Sequence, residues 1–146
     1  MARSNQKGFT TMSSLLAAAD AVVKQAAKDK NGLVAKAVVD EGKRQVQETV
    51  YDAYTNGIYD RSGQLKEQWV VESVEDGILV YNDRRDGDRY VAEIVETGDG
   101  YDQRFPFVGV PRPFTQNTID ELARSGKHVQ ALQDELIRRG HRVIRG

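Results

Sequence analysis

Pro111-Arg112-Pro113 is the strongest constraint on what this chain can fold into. Each proline fixes its own φ and lacks an amide donor, and Arg112, directly before Pro113, is pushed toward the extended region. A helix can start just after the triplet. Upstream, Val91, Ile94 and Val95 supply apolar anchors, and Glu96-Thr97-Gly98-Asp99-Gly100 ends their segment with two residues that tolerate positive φ. Residues 88–122 therefore read as a sheet-forming segment, an open loop and then a helix, a hinge between layers.

The rest of the chain supplies the layers. From Thr10 or Ser13, Leu15, Leu16, Ala19, Val22, Val23 and Ala26 recur at three- and four-residue steps, with Ser and Thr as caps, which predicts a helix that stops at Lys28 to Gly32. A second helical stretch runs from Leu33 to about Tyr54, with Val34, Val38, Val46, Val50 and Tyr54 on one row. Gly42 takes one place in that row, where a partner's backbone could approach. Asn56-Gly57 and Ser62-Gly63 then bracket a turn region. Gln68 to Val74, the Glu75-Asp76-Gly77 turn signal and Ile78 to Tyr81 form a hairpin. Asn82 to Asp88 is a charged turn, and Arg89 to Glu96 fits a third strand or a short helix equally well. The closing helix begins between Pro113 and Thr118, and Thr118 with Glu121 has capping-box spacing. Ile119, Leu122, Val129, Leu132 and Leu136 keep phase across Gly126, which predicts one helix through that glycine, ended by Gly140.

The 146 residues fit one α+β domain. It is expected to have a flexible N-terminus over 1–9, a helical region over 10–54, a sheet hairpin region over 66–97, a loop over 98–112 and a closing helix over 113–140. With 39% hydrophobic and 29% charged residues, the core is modest and much of the surface polar. A net charge of -1 argues against a surface that tracks nucleic acid throughout. The apolar run Leu15 to Val23 is broken by Asp20 and no run approaches a membrane span, so the expected location is the cytoplasm or something assembled there.

Reactive constellations are not expected. The chain contains no cysteine, which excludes disulfides and thiolate chemistry. His128 and His141 lack metal-ligand spacing and read as solvent-exposed bystanders. Asp83, Asp86, Asp88, Asp99 and Asp102 are not in register for a calcium loop. Gly98-Asp99-Gly100 lacks the context of a dinucleotide fingerprint, and Glu93 with Glu96 suggests surface carboxylates better than an acid/base pair. Catalytic, cofactor and metal sites are accordingly expected to be absent, and the protein is not expected to be an enzyme.

Charge is unevenly placed. Asp83, Asp86, Asp88, Glu93, Glu96, Asp99 and Asp102 crowd the middle of the chain, whereas Arg138, Arg139, Arg142 and Arg145 mark its end. One reading is a charged loop with arginines that complement a helix dipole. The other is an acidic loop of one subunit facing the basic end of a neighbour in a head-to-tail ring.

Three short elements follow one another along the chain: Arg61-Ser62-Gly63-Gln64-Leu65, Tyr90-Val91-Ala92-Glu93-Ile94-Val95-Glu96-Thr97-Gly98 and Arg112-Pro113-Phe114. In this order and spacing they resemble the Thr/Ser-Gly-x-Leu, Tyr-Ala-x-x-Val-Glu-x-Gly-Thr and Arg-Pro-Phe elements of the small neck or tail-completion proteins of long-tailed bacteriophages. Ala92 comes one place later than in that pattern, and Thr97-Gly98 reverses its Gly-Thr. The resemblance implies a long helix and a closing helix packed on a small, mostly antiparallel sheet. Ser62, Gly63, Leu65, Tyr90, Glu96, Gly98 and Pro113 would be its structural motif positions.

The role implied is structural, in a ring that joins tail to head, located in the virion after assembly in the host cytoplasm. Partners would be further copies of the chain and other neck and tail proteins, with contact to packaged DNA but no sequence-specific binding, no membrane and no cofactor. Tyr101, Phe105, Phe107, Arg112, Phe114, Arg138, Arg139 and Arg142 are the candidate interface residues, because aromatic residues and arginine dominate interface energetics. Phe107 reads equally as core, and Gly63 and Leu65 as turn and core residues. Alternative roles are a tail terminator, a head-side connector ring, or a small nucleic-acid-binding regulatory module using the basic C-terminus, which the balanced charge disfavours.

Overall fold

A computed structural model describes residues 11–52, 64–100 and 109–144. Helix α1 spans Met12–Ala27 and opens on a capping box: the Ser14 amide donates to Thr11 Oγ1 at 3.1 Å while the Thr11 amide reaches Ser14 Oγ at 3.4 Å. Helix α2, Leu33–Gln45, continues as a π-helical segment, Val46–Tyr51, so the long second helix expected from the sequence changes winding part-way. A short turn of helix, α3 at Gln64–Glu67, leads into the hairpin of β1, Trp69–Val74, and β2, Gly77–Asn82. These strands are antiparallel with Trp69 opposite Asn82 and Val74 opposite Gly77, which leaves Glu75 and Asp76 as the turn. A second ribbon pairs β3, Arg85–Asp86, with β4, Arg89–Tyr90, around Gly87 at φ 59°.

The ambiguous stretch after Asp88 contains both forms. Two residues pair as β4, and the chain then turns into α4, Val91–Thr97, which Gly98 ends in the left-handed conformation at φ 78°. The sheet region therefore stops at Tyr90, short of the expected position 97, because Ala92 and Val95 at helical spacing both find the core.

The closing region is two helices. Helix α5 spans Phe114–Ser125 and α6 spans Lys127–Arg138, with Gly126 between them at φ 69°. The expectation of one helix through Gly126 is thus overturned. A left-handed residue caps α5 and restarts the chain in a new direction, so the inward row becomes Ala131 and Glu135 while Val129, assigned to the apolar stripe, is exposed. The chain is α+β as expected; helices α5 and α6 pack chiefly along α2, α1 touches α6 and β2, and the closing region meets the sheet through Phe114 against Trp69.

The core gathers Val46, Val50, Leu65, Ala92, Val95 and Phe114, with Trp69, Tyr51, Tyr90 and Val91 against it. Phe114 is fully buried and meets Trp69 edge-on, ring centroids 6.0 Å apart at 90°. What approaches Gly42 is this tryptophan ring and not a partner's backbone: a Cβ there would stand 2.6 Å from Trp69 Cζ2. The hairpin can cross α2 closely only because position 42 has no side chain.

Candidate assembly surface

Two of the helices that lack a side-chain cap of their own, α2 and α5, borrow a carboxylate from elsewhere. Pro113 opens α5, and the exposed amides of its first turn, Thr115 and Gln116, donate to the two oxygens of Glu96 at 2.8 and 3.1 Å. The expected capping box of Thr118 with Glu121 does not form, since the buried Thr118 hydroxyl donates back to the Phe114 carbonyl at 2.7 Å. Gly32 opens α2, where the Leu33 amide donates to Oε1 of the fully buried Glu135 at 3.2 Å. Arg138 closes on the same carboxylate at 2.6 and 2.7 Å. Its hydrogen bonds outweigh burial and, helped by the Leu33 amide, hold the Glu135 carboxyl below the usual range.

A second buried acid lies further along α2. Burial alone would push the Glu41 carboxyl up, but hydrogen bonds from Arg44 at 2.8 Å, Lys127 at 3.0 Å and Gln45 at 3.0 Å bring it below the ordinary value. Glu41 and Glu135 thereby tie α2 to the two ends of α6.

Of the motif positions, Leu65 and Tyr90 meet at the core. The Leu65 side chain is buried there and its carbonyl accepts from Asn82 Nδ2 at 2.6 Å. Tyr90 donates its hydroxyl to the Asn82 carbonyl, and the Arg85 guanidinium stands 4.8 Å over its ring. Gly98 accepts from the Gly109 amide at 2.8 Å, and a Cβ on it would fall 2.6 Å from the Val110 carbonyl carbon. The Arg112 amide donates to the Val95 carbonyl at 3.0 Å. Ser62 and Gly63 lie outside the described residues.

The candidate interface residues separate into four groups. Phe114 and Arg112 are buried inside the subunit, so neither offers a surface anchor. Arg138 and Arg139 face acids of their own chain, Glu135 and Asp29, with the Arg139 to Asp29 pair at 2.9 Å, and not the acidic stretch 83–102. Arg142 is exposed beyond α6. Tyr101, Phe105 and Phe107 lie outside the described residues. His128, expected in solvent, is half-buried with Nδ1 covered and no hydrogen-bond partner among the described residues. His141 is exposed.

Sequence reasoning missed the uncovered apolar side chains. Met12, Leu15 and Leu16 at the start of α1, Leu79 on the outer face of the hairpin, and Ile119, Val129 and Ile137 on α5 and α6 are all exposed. Periodicity identified Leu15, Leu16, Ile119 and Val129 as apolar without showing that the packing would leave them outside. Among the described residues no group of three or more His, Cys, Asp or Glu is placed to hold a metal, and no helix is long and apolar enough to cross a membrane.

Residues 11–138 match the model of the YomN family. The chain belongs to the YomN family. Within the YomN family it is similar to the SPbeta prophage-derived uncharacterized protein YomN of Bacillus subtilis (strain 168), at 34% identity over 106 residues. That alignment covers 70% of this chain and 76% of the relative. No solved structure matches this YomN-family chain.

Proposed function

We propose that the protein is a structural virion subunit of the phage head-tail junction, a neck or tail-completion component of a ring that joins tail to head. The observation that carries this reading is the convergence of the three motif elements. Leu65, Ala92 with Val95, and Phe114 come from separate parts of the chain and share one core. Glu96 of the second element also caps the helix that the third one opens. The elements that resemble neck and tail-completion proteins therefore supply four of the six buried residues of that core, beside Val46 and Val50, which supports a shared architecture. The prophage origin of the relative supports the phage setting.

The surface suits such a role. The described residues present exposed apolar side chains on α1, the hairpin and both closing helices, spread over several faces. A subunit held between neighbours needs several contact faces, and burial on assembly adds stability to a modest core. The role requires no bond to be made or broken by this chain.

The test is electron microscopy of particles produced after deleting the coding sequence from the phage or induced prophage that carries it. Filled heads accumulating beside free tails are expected. Whole, infectious particles at normal yield would refute the joining role.

A further inference from the structure

Helix α6 is joined to α5 by a single residue that already belongs to both. Gly126 donates its amide to the Leu122 carbonyl at 2.9 Å and accepts from the Gln130 amide at 2.9 Å, so it is the last donor of α5 and the first acceptor of α6. Only its own torsion angles, φ 69° and ψ 15°, separate the two helices. A Cβ there would meet nothing within 4 Å, so no neighbour crowds the bend. Beyond it, Lys127, His128 and Val129 open α6 without an N-cap side chain, and the Lys127 amide reaches Ser125 Oγ at 3.3 Å. With Gly126 at right-handed helical angles, each of these amides would face the carbonyl four residues before it, and one helix about 37 Å long would run from Phe114 to Arg138. Val129, 49% exposed in the bent form, would then share a face with the buried Leu122 two turns away.

The bend is held from the other side of α6. That helix packs along α2 and against α1, with little contact to α5 among the described residues. Its polar ties run the same way: Lys127 to Glu41 at 3.0 Å, Glu135 to the Leu33 amide at 3.2 Å and, just past its end, Arg139 to Asp29 at 2.9 Å. Straightening carries α6 away from all three. It would leave Leu33 uncapped, strip Lys127 from the buried Glu41 and uncover Ala131, so a lone chain stays bent. None of these partners has to come from the same chain.

We propose that two copies of the chain exchange α6: in each, α5 and α6 run as one helix through Gly126, and α6 lies on α2 and α1 of the other copy. The occupant of the vacated face is named by the contacts themselves, since a second copy brings the same Lys127, Ala131, Glu135 and Arg139 that the face now holds. Exchange keeps the contacts of α6 to α2 and α1, adds helical hydrogen bonds across the elbow and removes a left-handed residue. Against this stands the freedom lost when two chains become one particle. The bent monomer is therefore the dilute form and the exchanged pair the concentrated one. Exchange is independent of the joining role, and either can hold without the other.

The test uses the full chain refolded from denaturant at up to roughly millimolar concentration, with mass measured by light scattering. Wild type is expected to pass from monomer to dimer. Gly126→Ala disfavours the bend and favours the helix, so it should tighten the dimer at least about a hundredfold, roughly tenfold for each of its two hinges. Inserting Gly-Ser-Gly after Gly126 interrupts the helix and lets α6 fold back, which should return the chain to monomer. Asp29→Arg and Arg139→Asp separate exchange from ordinary association. Each variant alone sets like charges against each other at the half-buried contact of Asp29 with Arg139, whereas one copy of each, exchanging α6, restores an opposite pair in both halves. Mixed before refolding, the two should form a heterodimer that melts above either variant alone. A wild-type or Gly126→Ala chain that stays monomeric at the highest concentration, a lengthened hinge that dimerises as tightly as wild type, or a mixture that yields only the separate species would each overturn the exchange.

Discussion

Oε1 of Glu135 accepts the Leu33 amide at 3.2 Å across 102 residues, so the last helix completes the first turn of the second one. Gly32 permits this contact, since a Cβ there would sit 2.4 Å from the same oxygen. Replacing Glu135 by Ala leaves Leu33 without its acceptor and removes the carboxylate that Arg138 closes on, while Arg139 keeps Asp29. The expected loss is about 3 kcal/mol, or a melting temperature lower by roughly 6 to 12 °C for a chain of this size. Thermal denaturation followed by circular dichroism checks this, and a shift under about 2 °C would show the contact to be idle.

The same carboxylate should make stability pH-dependent in acid. Glu135 and Glu41 both have folded pKa values below their usual 4.5, so the unfolded chain binds protons first as the pH drops. Their contribution is complete above about pH 4.5, shrinks below it and is gone once the pH passes through the folded values. Urea melts between pH 7 and pH 3 should show this decline. Glu135→Gln should flatten it, and an equal slope in that variant would remove Glu135 as a cause.

Two left-handed glycines should respond differently to alanine. Gly98 at φ 78° meets the Val110 backbone, whereas Gly126 at φ 69° faces open space. Gly126→Ala is expected to cost about 1 kcal/mol for the strained backbone alone. Gly98→Ala should cost at least about 3 kcal/mol, because backbone strain is joined by a collision that a rigid main chain cannot relieve. Equal chemical denaturation midpoints for the two variants would contradict this.

Glu96→Ala should uncap α5. Two amide donors lose their acceptor at a partly exposed site, so the expected cost is about 1 to 2 kcal/mol. Hydrogen exchange should rise first at Thr115 and Gln116. Protection unchanged at both amides would show that solvent serves them equally well.

How much of this was readable in the chain depended on the range of the interaction involved. The start of α1, expected at Thr10 or Ser13 and found with Thr11 as its cap, and the hairpin through Glu75-Asp76 depend on rules acting within about four residues. Gly126 marks the limit. Ile119, Leu122 and Val129 keep a helical phase across it, and nothing local distinguishes a tolerated helix glycine from one that ends α5 and re-aims α6.

The sequence by itself determined an α+β chain whose closing helix opens after Pro113, because steric and hydrogen-bonding rules for prolines, caps and turns act on immediate neighbours. Only the tertiary structure decided that Phe114 fills the core, that Trp69 lies over Gly42, and that Glu96 and Glu135 cap helices from 19 and 102 residues away. It also decided that the apolar row of α1 is buried at one end and bare at the other. Periodicity marks a face as apolar, but the lengths and crossing positions of the packed helices determine how far along that face the cover reaches.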